Sequence, residues 1–100
     1  MTLLDAIFQI TQLPDGWAIC AKEPFFRGSE AKLVKCLENY ELPSDAISEG
    51  FRYFLDQSDV EELLLMLQAK ECSRETKAEF VIHYAVQDAY PAWFSDLQDR

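Results

Sequence analysis

The sequence predicts an α+β fold: a single domain over residues 1–100, with a small antiparallel three-stranded sheet packed with three helices. Three observations lead there. Apolar residues recur at helical spacing at the start of the chain and twice in its last 45 residues. Three short runs between them read as strands, joined by links that favour antiparallel pairing. The composition is 49% hydrophobic and 13% aromatic, which supplies a core and sets the chain apart from disordered acidic polymers.

The elements follow in order. Leu3, Leu4, Ile7, Phe8 and Thr11 form one helical stripe. The helix starts near Thr2, carries Asp5 in its first turn and stops before Pro14. Asp15-Gly16 signals a turn. Trp17 to Lys22 reads as a strand, with Trp17, Ile19 and Ala21 on one face and Ala18 and Cys20 on the other. Glu23 to Ala31 is a loop punctuated by Pro24, Gly28 and Ser29, and Lys32 to Leu37 is a second strand.

A short helical turn begins around Ser44, a good N-cap, and ends at Gly50. Phe51 to Asp56 alternates as a third strand, with Phe51, Tyr53 and Leu55 opposed to Arg52, Phe54 and Asp56. Ser58-Asp59-Val60-Glu61 reads as a capping box opening a helix to about Lys70, with Val60, Leu63, Leu64 and Leu67 inward. Ser73 caps the last helix, whose buried stripe is Ala78, Val81, Ile82, Ala85 and Ala89. Pro91 ends or kinks it before an aromatic tail, Trp93-Phe94.

Charge is the main functional signal. Eighteen acids face nine bases, for a net charge of −9. The stretch from Glu38 to Glu62 holds Glu38, Glu41, Asp45, Glu49, Asp56, Asp59, Glu61 and Glu62 against Arg52 alone. Such a field repels nucleic acid and anionic membrane and attracts basic protein surfaces. No run approaches the ~20 apolar residues of a membrane span, and the first ten residues lack the basic segment of a signal peptide. The three cysteines, Cys20, Cys36 and Cys72, are widely spaced and read as reduced thiols of a cytoplasmic protein.

Catalytic and cofactor motifs do not emerge. His83 is the lone histidine, at i+4 from Glu79, and no Cys/His spacing suggests zinc. A Cys-His nucleophile pair stays open on spacing alone, although two of the cysteines fall in expected strands. Gly16, Gly28 and Gly50 stand apart and make no phosphate loop. The expectation is a non-enzymatic binding protein without cofactor or metal. Its candidate contacts are the eight acids and an aromatic anchor from Phe25, Phe26 or Trp93. Phe25-Phe26-Arg27 either folds back on the core or presents an apolar anchor, and Trp93 carries the same two readings.

Three segments carry a family resemblance: LLDAIFQITQLPDGWAI (3–19), SEGFRYFLDQSDVEELLLMLQ (48–68) and EFVIHYAVQDAYP (79–91). They resemble a small bacterial domain family in which Leu-Pro leads into a Trp-containing strand. There a Gly-aromatic strand ending in Leu-Asp precedes an Asp-Val-Glu helix, and Tyr followed by Asp-Ala-aromatic closes the chain. Many such domains resemble the small acidic immunity proteins encoded beside polymorphic toxins, including those of contact-dependent growth inhibition systems. The resemblance implies a fold and no catalytic residue. It suggests an antitoxin-like protein that occludes the active site or substrate groove of a cognate toxin, a basic nuclease; the chain itself is expected to be a monomer or weak homodimer. A nuclease must carry Lys and Arg for phosphates, and an acidic partner competes for that surface. The alternative is an acidic adaptor or nucleic-acid mimic that inhibits another DNA- or RNA-binding protein.

Overall fold

The computed structural model describes residues 1–39 and 41–100. The elements are α1 (Leu3–Gln9, extended by a 3-10 turn Ile10–Gln12), β1 (Trp17–Ala21), β2 (Ala31–Lys35), α2 (Ser44–Ser48), β3 (Arg52–Asp56), α3 (Gln57–Met66), α4 (Arg74–Gln87) and a C-terminal 3-10 helix (Ala92–Asp96). The α+β class and the three-stranded antiparallel sheet are as the sequence predicts, with the short turn after Pro43 forming a fourth α-helix.

The strand order is β2-β1-β3, so β1 is central. Trp17 faces Lys35 across one ladder, and Ala18 faces Asp56 across the other. The start of β1 and the ends of β2 and β3 therefore share one end of the sheet. Ala18, Ile19, Cys20 and Ala21 are completely buried, because both sheet faces are covered. On the main face, Ile19 and Ala21 meet Leu3, Ile7 and Ile10 from the α1 segment, Val60, Leu63 and Leu67 from the α3 segment, and Phe80 and Val81 from α4. On the other, Cys20 and Phe51 meet Leu42 and Ala46, with Val34 packed alongside.

Five local readings change. The ladder between β1 and β3 is irregular at Ile19/Cys20: Leu55 pairs with Ile19 and Tyr53 with Cys20, leaving Phe54 extra. This bulge breaks the expected alternation, and Phe54 and Leu55 both join the main core.

The Ser58 capping box does not form. Asp56, the last strand residue, is the N-cap: its Oδ1 accepts from the Asp59 amide at 2.9 Å, and the Ser58 hydroxyl donates to the same oxygen at 3.2 Å. A carboxylate at the strand–helix junction satisfies the first-turn amide two residues earlier than Ser58 can. Ser44 is likewise inside its helix, behind Pro43, and supplies no side-chain cap.

The last helix stops at Gln87, before Pro91, because Asp88 turns left-handed (φ 54°) and donates its amide to the Tyr84 carbonyl at 2.8 Å. Ala89 lies beyond that stop and is exposed. The strands also shift slightly, with β1 ending at Ala21 and β2 running from Ala31 to Lys35.

Other signals act as read. The Thr2 hydroxyl accepts from the Asp5 amide, and Ser73 from the Thr76 amide. Gly16 and Gly50 take positive φ (98° and 95°) at the turns into β1 and β3, where a side chain would be strained. Ser29 organises the 22–30 loop. Its buried hydroxyl accepts from the Phe26 amide and donates to the Pro24 carbonyl, both at 2.9 Å.

Candidate protein interface

The structure divides the eight candidate acids. Asp56, at the end of β3, stands beside Asp59 and Glu62 in the opening turns of α3. The antiparallel packing of α3 and α4 brings the far end of α4 over them. Asp59, Glu62, Leu63, Met66, Tyr84 and Tyr90 line a small cavity of about 90 Å³. The Tyr84 and Tyr90 rings stack at 5.6 Å and 27°. Tyr53 reaches the same charge cluster from β3 and is 43% exposed.

Electrostatics mark this end as crowded. The Asp59 carboxyl is held above its ordinary 3.8 by partial burial, then by the charge of Asp56 and hydrogen bonding to it, and by Glu62. Burial, followed by the charges of Asp56 and Asp59, pushes the Tyr53 hydroxyl up to about 12. Tyr84 moves the same way, through desolvation and then the charge of Asp88. Both phenols therefore keep their protons at neutral pH and present O–H donors. Among the described residues, none of Asp56, Asp59 and Glu62 has an ion pair with a Lys or Arg.

The remaining acids lie elsewhere. Glu61 is on another flank of α3, where its Oε2 accepts from Gln57 Nε2 at 2.7 Å. Glu38 and Glu41 are exposed in the connection from β2 to α2, and Asp45 is exposed at the start of α2. Glu49 belongs to the opposite end of the sheet, paired with Lys32 at 3.5 Å.

The aromatic candidates also separate. Phe25 folds onto the core, edge-on to Phe54 at 5.2 Å and 87°. Phe26 stays out, 58% exposed. Trp93 is half-buried, packed edge-on against Phe80 at 6.2 Å.

Phe25 and Trp93 nevertheless line one groove along α4. A cavity of about 260 Å³ holds Phe25, Glu79, Ile82, His83, Val86, Gln87 and Trp93. A second, of about 430 Å³, shares Glu79 and Trp93 and adds Arg27, Glu75 and Thr76. At ~100° per residue, Tyr84 sits roughly 160° round the helix from Ile82 and Val86. The groove and the acid–tyrosine end thus flank α4 on opposite sides.

Tyr53, Tyr84, Tyr90, Glu75 and Glu79 were not singled out as contacts from sequence. Their relation to the acids and to Trp93 is tertiary, although the helical wheel of α4 already separates Tyr84 from Glu79. The thiols and the histidine are quietly placed. Burial pushes the Cys20 thiol up, against the lowering effect of Lys32. Burial and then Asp56 do the same to Cys36, so both stay protonated and poorly nucleophilic. His83 Nδ1 lies 3.0 Å from the Ala89 carbonyl, which can only accept, so Nδ1 carries the proton there.

No family model matches this chain. No curated protein and no solved structure matches it either. No helix among the described residues is long and apolar enough to cross a membrane.

Proposed function

We propose that this protein neutralises a cognate protein toxin with a basic surface, a nuclease domain in the favoured reading. It would act from the cytoplasm, by covering the toxin's active site or substrate groove. The observation that carries the reading is the Asp56–Asp59–Glu62 cluster. Three carboxylates crowd one end of the sheet, one of them held above its ordinary pKa in part by its neighbours, with no ion pair to a Lys or Arg among the described residues. A cationic surface laid on that end relieves the repulsion. Tyr53, Tyr84 and Tyr90 supply the amphipathic contact area favoured at interface centres. Binding is then coupled to release of any proton held by Asp59, and is steered by the net charge of −9.

The test is co-expression with the product of the neighbouring reading frame. A stoichiometric complex that restores growth supports the proposal, and a toxic neighbour that neither binds nor is neutralised ends it. Within the complex, Asp59→Asn with Glu62→Lys should slow association about ten-fold at low salt and less at high salt. Changing Glu41, Asp45 and Glu49 to Lys should do less, because those residues are spread along α2 and its connections rather than gathered on one spot. The reverse order would move the interface to α2.

A further inference from the structure

We propose that the groove between the Phe25 loop and α4 is a second docking site, built for an extended segment of a protein partner that presents an arginine beside an apolar side chain. It uses none of Asp56, Asp59 or Glu62, so it stands or falls apart from the toxin reading.

The two halves of the groove differ in chemistry and meet at Trp93 and Glu79. One half carries an apolar strip with a rigid wall, beside the polar side chains of Glu79, His83 and Gln87. Phe25 is fixed edge-on to Phe54, Ile82 forms the floor at 6% exposure, and Val86 is left 53% exposed at the rim. An aliphatic side chain laid there removes apolar surface from water on both sides.

The other half is acidic and only partly answered. Arg27 Nε contacts Glu79 Oε1 at 3.0 Å, a one-point contact from a group able to make two, with both side chains about half exposed. Glu75, on the same wall, has no ion pair among the described residues. Two carboxylates against one engaged guanidinium leave the groove short of a cation.

Trp93 points to the same ligand. Indole is the best ring for holding a cation on its face. Among the described residues, four cations lie over rings elsewhere, on Phe8, Phe51 and Phe94, and none of these contacts uses Trp93. A guanidinium between Glu75 and Trp93 gains both a charge-assisted hydrogen bond and a ring face. In an extended segment, residues i and i+2 fall on one side about 6–7 Å apart, which places one side chain in each half. A second copy of this chain is disfavoured as occupant because it brings a further charge of −9.

The probes are capped tripeptides titrated into the full chain, with the Trp93 indole N–H and the Ile82 and Val86 methyl resonances as readout. Leu-Gly-Arg should shift all three, whereas Leu-Gly-Glu should leave them in place and Ser-Gly-Arg should move Trp93 alone. Glu75→Gln should weaken Leu-Gly-Arg about three- to five-fold. Arg27→Gln should tighten it by a similar factor, because it frees Glu79 from its internal partner. Neither change touches the core, and melting curves would verify the fold. The proposal is overturned by no shift at Trp93, by equal shifts from the Arg and Glu peptides, or by shifts confined to Tyr84 and Tyr90. It is equally overturned if sedimentation finds a dimer that Glu75→Gln dissolves, since the groove then holds a second copy.

Discussion

On one face of the sheet, α1, α3 and α4 close over Ile19 with Phe80, Leu3, Ile7, Ile10, Val60, Leu67 and Val81, each under 2% exposed. On the other face, α2 and the segment leading into it set Leu42 and Ala46 onto Cys20 and Phe51. The first core ties together elements from both ends of the chain. The second is a five-residue helix held by a few apolar contacts and by the Lys32–Glu49 pair. The difference teaches where cooperativity resides. Loss of a main-core contact is felt by every layer, whereas the α2 side can open while the rest of the sheet stays paired.

Truncation on the two faces tests this directly. Phe80→Ala removes the hub that Tyr90, Trp93 and Phe94 pack around, at 5.9, 6.2 and 5.0 Å. It should cost about 3–5 kcal/mol in denaturant unfolding. Leu42→Ala should cost about 2 kcal/mol or less. Its larger effect should be faster hydrogen exchange at the amides of α2, with β1 amides protected as before. Equal destabilisation by the two changes would show that the faces fold as one unit.

A smaller contrast sharpens the junction between β3 and α3. Asp56→Ala should cost about 1 kcal/mol, because it strips the acceptor from the Asp59 amide. Ser58→Ala loses only an exposed hydrogen bond to Asp56 and should change the melting point little. A larger loss at Ser58 would mean that the helix begins there.

The smallest effect is a pH dependence. The folded-state pKa of Asp59 lies above its ordinary 3.8, so the folded protein binds that proton more tightly than the unfolded chain. Stability from this group is present below 3.8 and is lost as pH rises through the higher folded value. Asp59→Asn should match wild type at the acid end and be more stable above that window, by at most about 0.5 kcal/mol since solvent screens the site. A variant less stable than wild type at neutral pH would show that the helix dipole outweighs the repulsion.

Much of the fold was legible because each element carries its own period and punctuation. Leu3 and Ile7, from the stripe read in the first helix, are buried, Ser73 caps the residues after it, and Gly16 and Gly50 sit where the chain turns back. The misses share another cause. The extra residue at Phe54 is invisible in an alternating string, because a bulge is defined by the partner strand. Asp56 and Ser58 both satisfy the local rule for a cap, and the end of the ladder decides between them. The candidate site was legible only as charge and aromatic content. That Asp56, Asp59 and Glu62 gather while Glu49 and Glu61 do not depends on how α3 leaves β3. That Phe25 and Trp93 share a groove depends on packing across the middle of the chain.

The central strand has one further consequence. Ala18, Cys20 and Ala21 hold three of its five positions, with only Trp17 and Ile19 large, and every residue from Ala18 to Ala21 is sealed from solvent. The strand acts as a thin spacer whose small side chains set the distance between the layers above and below it. Thickness there is transmitted outward: an added methyl group on Cys20 lifts α2, and one on Ala21 presses against the main core. The acidic surface over α2 and the groove beside α4 therefore share a common ruler, cut to length by three small residues that touch neither.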